Sequence, residues 1–113
     1  PVYSTNTGRH TRIGRTVYVD IFLSGDGGAE GAGTGVFNIA LPVAASASHP
    51  SGYFPCGEFD NSTAEDMVLG QIAAGTSTIA LAYDDVFNNR VDMTGDQQNS
   101  TTRSVRLKFF YEV

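Results

Sequence analysis

The sequence predicts an all-β protein, an antiparallel β-sandwich of about seven or eight strands. Three observations carry this expectation. Within Arg103–Val113 (RSVRLKFFYEV), Val105, Leu107, Phe109, Tyr111 and Val113 alternate with Arg106, Lys108, Phe110 and Glu112. That is the period-two signature of a strand with one face in a core. The composition, with 13 Gly, many Ser and Thr and little Lys, Leu or Glu, favours strands and turns over helices. Turn signals recur between short apolar runs, and no apolar run follows a helical period.

The final strand is also expected to lie inside the sheet. An open edge so rich in Phe and Tyr would invite aggregation, so this strand needs a neighbour on both sides. The remaining elements follow in chain order. Residues 1–8 (PVYSTNTG) are polar and turn-rich and read as an arm able to reach a neighbouring subunit, ahead of a single domain over 9–113. Pro1 suits either removal of an initiator Met or a piece of a longer chain. Arg9–Ile13 forms a short strand, Gly14 and Arg15 a tight turn, and Thr16–Ser24 the returning strand of a hairpin. Its alternation sends Val17, Val19, Ile21 and Leu23 into the core and leaves Tyr18, Asp20 and Phe22 outside.

Gly25–Gly35 contains six Gly in eleven residues and reads as a surface hairpin loop. It lacks the Lys-Ser/Thr pair of a phosphate loop, and Asp26 and Glu30 would repel an anion. Gly35–Leu41 is a strand ended by Pro42, with Phe37, Ile39 and Leu41 inward. Val43–Gly57 reads as an irregular crossover broken by Pro50 and Pro55, with Tyr53 and Phe54 plugging one end of the core. Glu58–Asp66 is acidic and turn-like. Met67–Ile72 and Thr78–Tyr83 are strands about a turn at Ala73–Thr76. Asp84–Ser100 is a long loop with an extended piece at Arg90–Asp92.

Composition bounds the function. The chain of 113 residues is long enough to bury a core without staples, and the lone Cys56 forms no internal disulfide. A net charge of −5 and pI near 4.7 argue against a nucleic-acid module, which carries a basic stripe. No apolar run approaches the roughly 18 residues of a membrane helix, and no leader pattern is present.

Catalytic constellations are equally weak. His10 and His49 are far apart and lack partners at metal-ligand spacing; a solvated or interface role suits His10, and turn packing suits His49. Cys56 sits between Pro55 and Gly57 with no His or Lys beside it to stabilise a thiolate, so it reads as a buried, inert thiol. No G-x-S-x-G elbow occurs. The carboxylates of Asp84, Asp85 and Asp92, and of Glu58, Asp60, Glu65 and Asp66, offer oxygen ligands to a hard cation. Without the regular ligand spacing of a calcium loop, they read as backbone caps at turns. Asn61-Ser-Thr63 and Asn99-Ser-Thr101 match the glycosylation acceptor pattern, a frequent chance match in such loops. No enzyme and no cofactor are expected. What remains is surface: Tyr18, Phe22 and Phe110 fall on faces that ought to be wet, and exposed apolar groups of this kind mark contact with another chain.

The order HTRIGRTVYV (His10–Val19), a Gly-rich loop, FNIALP (Phe37–Pro42), GYF (Gly52–Phe54), GTSTIAL (Gly75–Leu81) and a terminal SVRLKFFYEV resembles the small β-sandwich domains of tailed-bacteriophage virions, especially those of marine phages. The likeness runs from about Arg9 to Val113. Here His10 stands where that family commonly has Tyr, and Phe109-Phe110 replaces a pair of small residues, which suits a tighter subunit contact. The resemblance implies a jelly-roll-like sandwich, commonly a homotrimer, found as a capsid decoration protein or at the tip of a tail fibre. The first expectation is therefore a virion structural protein on the capsid surface. Through Tyr18, Phe22 and Phe110 it would contact its own copies and the major capsid protein or other virion subunits, with no nucleic acid or membrane. The alternative is a receptor-binding tip that touches a host glycan or protein through the Gly25–Gly35 and Asp84–Ser100 loops. Tyr83, Asp84, Asp85 and Phe87 would then form the recognition surface.

Overall fold

A computed structural model describes residues 3–25, 38–50, 52–60, 65–84, 90–92 and 104–113, and every regular element among them is a β-strand. The strands are β1 (Tyr3–Ile13), β2 (Thr16–Gly25), β3 (Asn38–Ala40), β4 (Tyr53–Asp60), β5 (Glu65–Gln71), β6 (Thr78–Asp84), β7 (Arg90–Asp92) and β8 (Ser104–Glu112). All pair antiparallel in one sheet of order β1-β2-β8-β4-β5-β6-β3, with β7 joined to β6. The all-β antiparallel fold holds, and β8 lies between β2 and β4, as its apolar alternation requires. No helix long and apolar enough to cross a membrane occurs among the described residues.

The sheet curls over its own core. Val17, Val19 and Leu23 of β2, Val105, Leu107, Phe109 and Tyr111 of β8, Phe59 of β4, Val68 of β5, and Ile79 and Leu81 of β6 are all buried on the concave side. The segment after β3 crosses beneath them. The Leu41 amide donates to the Ser77 carbonyl at 2.8 Å, that of Ala45 to Thr76 at 2.8 Å, and that of Ser46 to Glu112 at 2.9 Å. Midway, the Tyr111 hydroxyl donates to the Val43 carbonyl at 2.7 Å and accepts from the Val43 amide at 3.3 Å. These bonds tie the β6 side of the sheet to the end of β8 and bury Leu41 and Ala45. The curl also brings the two ends of the strand order face to face. Gly8, Arg9 and His10 of β1 confront Ala40, Leu41 and Pro42 across a cleft of about 230 Å³.

Several boundaries differ from the sequence-based expectation. β1 begins at Tyr3, so Tyr3–Gly8 is no free arm but pairs with β2 up to Gly25. Its backbone satisfies that ladder whatever its side chains, and polar residues are common on such an edge. Tyr53–Gly57, read as crossover, belongs to β4, and Glu58–Asp66 contributes to both arms of the β4–β5 hairpin. A bulge hides this strand. Pro55 pairs with Leu69 and Gly57 with Val68, so Cys56 is the extra residue. The shift buries Cys56 and Phe59, three positions apart, and erases the simple alternation. Pro55 is tolerated because β8 pairs with β4 only from Gly57 onward. Of the strand expected over Gly35–Leu41, Asn38–Ala40 is strand; Ile39 packs on the core and Leu41 is buried, while residues 35–37, with Phe37, lie outside the described residues. The turns at Gly14 and Gly75 carry positive φ, 61° and 73°, a conformation open to glycine.

Gly57 marks the tightest approach in the sheet. A Cβ there would lie 1.9 Å from the Arg106 carbonyl oxygen and 2.9 Å from the Leu107 Cα, both rigid backbone of β8. Gly57→Ala is therefore expected to force β4 from β8 and cost about 3 kcal/mol, read as a lowered urea midpoint. An unchanged midpoint would show that the bulge relaxes freely.

Candidate functional site

Antiparallel partners share a face of the sheet, so the register of β1, β2 and β8 defines rows on the convex side. One row runs Thr11, Tyr18, Phe110; the next Arg9, Asp20, Lys108; the third Thr7, Phe22, Arg106, continuing to Glu58 and Met67. The rows interact across the strands. Tyr18 and Phe110 stack obliquely with ring centroids 5.8 Å apart. Asp20 receives Arg9 at 3.2 Å and Lys108 at 3.8 Å. The Arg106 guanidinium lies 5.0 Å from the Phe22 ring centroid, a cation–π contact. Thr16 donates to Glu112 at 3.0 Å in a fourth row that includes Ile13.

The exposed large apolar side chains of the described residues all fall on this convex face: Ile13 66%, Phe110 64%, Tyr18 48% and Met67 48% exposed. Shallow depressions join across it through Lys108. One of about 430 Å³ lies over Arg9, Asp20, Phe22 and Arg106, and another of about 360 Å³ over Tyr18 and Phe110. A third, about 440 Å³, is walled by Pro50, Tyr53, Phe54, Pro55 and Phe110. Charge is uneven along the chain. Residues 3–25 and 104–113 hold five of the seven Lys and Arg but two of the twelve Asp and Glu. Their formal net charge is +3, against −8 for the rest of the chain. On the convex side itself these strands set Arg9, Arg106 and Lys108 against Asp20 and Glu112, a net of +1, because Arg12 is in register with buried Val17 on the other side. An overall acidic protein thus presents a weakly basic, aromatic face.

Tyr18, Phe22 and Phe110, singled out from alternation, are brought together here, with Phe22 half-buried beneath Arg106. Arg9, Lys108 and Arg106 carry no distinguishing signal in the sequence. Their roles depend on register, which only the paired strands reveal. The loop candidates fare differently. Tyr83 points into the fold, its ring 5.7 Å from that of Phe59 and packed on the core, so it is no surface stacking group. Asp84 ends β6, and Asp85 and Phe87 lie outside the described residues, as do both glycosylation patterns and residues 26–35.

His10 is exposed in β1, in register with Val19. His49 is half-buried; its amide donates to the Ser46 carbonyl at 3.0 Å, and its Nδ1 has no hydrogen-bond partner among the described residues. Among the described residues no three His, Cys, Asp or Glu side chains gather as a metal site. Cys56 is 1% exposed, and burial pushes its thiol up to about 12; burial also raises the Tyr111 phenol.

A scan against models of known protein families matched none to this chain, and searches of curated proteins and of solved structures matched none. The site is therefore read from its own geometry.

The buried thiol sets a pH expectation. Below the ordinary thiol value of 9.0, Cys56 is protonated whether the chain is folded or not. Above it the unfolded chain ionises first, so stability should fall as pH rises from 9.0 toward about 12. Cys56→Ala, compared with the native chain in urea titrations across that range, should flatten the decline, with Tyr111 accounting for the remainder. Identical slopes would contradict burial of the thiol.

Proposed function

We propose that this chain is a structural subunit of a tailed-bacteriophage virion, a homotrimer that decorates the capsid surface and stabilises the head through contacts between subunits. The observation that carries the reading is the Tyr18–Phe110 pair, exposed on a regular sheet and rimmed by Arg9, Arg106 and Lys108. Aromatic groups and arginines are the residue types that dominate protein–protein contacts. The buried core of the described residues lies on the other, concave side, and neither ring belongs to it. The resemblance of the strand-and-turn order to virion domains supplies the class of assembly. A tail-fibre tip working through loops is less well supported, since Tyr83, one of its two aromatic groups, packs against Phe59.

Sedimentation of the isolated protein should give a trimer. Tyr18→Ser with Phe110→Ser should give a folded monomer, each truncation costing about 2 kcal/mol of association. Electron microscopy of the phage should then place the trimer at symmetric positions on the head. A monomeric native protein, or a head that lacks it, contradicts the reading.

A further inference from the structure

We propose that the basic, aromatic face of one copy seats against the acidic β4–β5 ribbon of the next, with Glu58 of one chain meeting Arg106 of another. This rests on the assembly reading above and specifies which surfaces join. The convex side carries both halves of a complementary contact: Arg9, Arg106 and Lys108 on β1 and β8, and Glu58 on the adjoining β4. Residues 58–60 hold Glu58 and Asp60 and no Lys or Arg. Complementary potentials of this kind set register and orientation between subunits.

The side chains point the same way. Glu58 and Arg106 are partners in register on neighbouring strands. Arg106 nevertheless lies over Phe22, and Glu58 makes no ion pair among the described residues. Both are exposed, and neither makes an ion pair among the described residues. Beside Glu58, in register, Met67 is 48% exposed. A thioether next to a carboxylate matches a ring next to a guanidinium, since sulfur packs favourably against aromatic edges. Contact of basic on acidic surface also relieves the repulsion that a second copy would meet if like faces joined.

Charge reversal tests the pairing. In sedimentation equilibrium at low salt, Arg106→Glu and Glu58→Lys should each weaken association at least about tenfold. The doubly reversed chain, Arg106→Glu with Glu58→Lys, should recover most of it, because each copy then presents the swapped pair. Circular dichroism checks that each variant folds. Single reversals without effect, or a double reversal as weak as the singles, overturn the pairing while leaving the trimer intact. If Arg106→Glu leaves the mass unchanged but abolishes retention on a sulfated-polysaccharide column, the face belongs to an anionic ligand instead. A native protein that is monomeric at every concentration removes the assembly reading and this inference together.

Discussion

The two-sided pairing of β8 is the constraint on which the rest of the structure depends. β2 bonds one edge of β8 from Ser104 to Glu112, and β4 bonds the other from Ser104 to Leu107. Held so, β8 has no freedom of register, and a slip by one residue would exchange its faces. Val105, Leu107, Phe109 and Tyr111 would enter water, and Arg106 and Lys108 would enter the core. The Tyr111 hydroxyl extends this control beyond the sheet. Its bonds to the amide and carbonyl of Val43 fix the segment that covers the core, and that segment in turn bonds back to Thr76 and Ser77 ahead of β6. Gly57 permits the close backbone approach that makes the β4 side of this pairing possible.

The same register builds the convex face. Because Phe110 is opposite Tyr18, Lys108 opposite Asp20 and Arg106 opposite Phe22, the outer side chains meet as cross-strand pairs. Each such pair contributes roughly 0.2–1 kcal/mol to the sheet, and the exposed ion pairs at Asp20 add little. These contacts order the surface more than they stabilise the fold. Ordered rings and guanidinium groups lose less freedom on binding than mobile ones, which favours use of this face as a contact surface. Glu58, on the strand that adjoins Arg106, gives that surface a complement on the same molecule.

The sequence made some of this legible and hid the rest for identifiable reasons. Strict alternation exposed β8 and the β1–β2 hairpin, and with them the outward positions of Tyr18, Phe22 and Phe110. β4 was obscured because Pro55 and Gly57 look like breakers and the bulge at Cys56 breaks the period. Tyr3–Gly8 looked like an arm because an edge strand needs no apolar face, and its side chains carry no pattern. Tyr83 adjoins the Asp84–Ser100 loop and offers a ring for stacking there, yet its alternation with Ile79 and Leu81 puts it on the inner face. The stacking of Arg106 on Phe22 and the bridging of Arg9 and Lys108 by Asp20 were not legible at all. They join residues far apart in the chain, and only pairing brings those residues together.

Hydroxyl-radical footprinting of the assembled protein, read at Phe110 and Tyr18, tests most directly whether the convex face is a subunit contact. Both rings are open in the single chain, 64% and 48% exposed. If the face is covered in the assembly, oxidation of both should fall sharply as concentration rises through the association range, while exposed Ile13 reports whether the protection reaches the hairpin end. Oxidation of Phe110 and Tyr18 at the rate of the isolated chain, in protein shown to be assembled, would mean that the subunits join elsewhere.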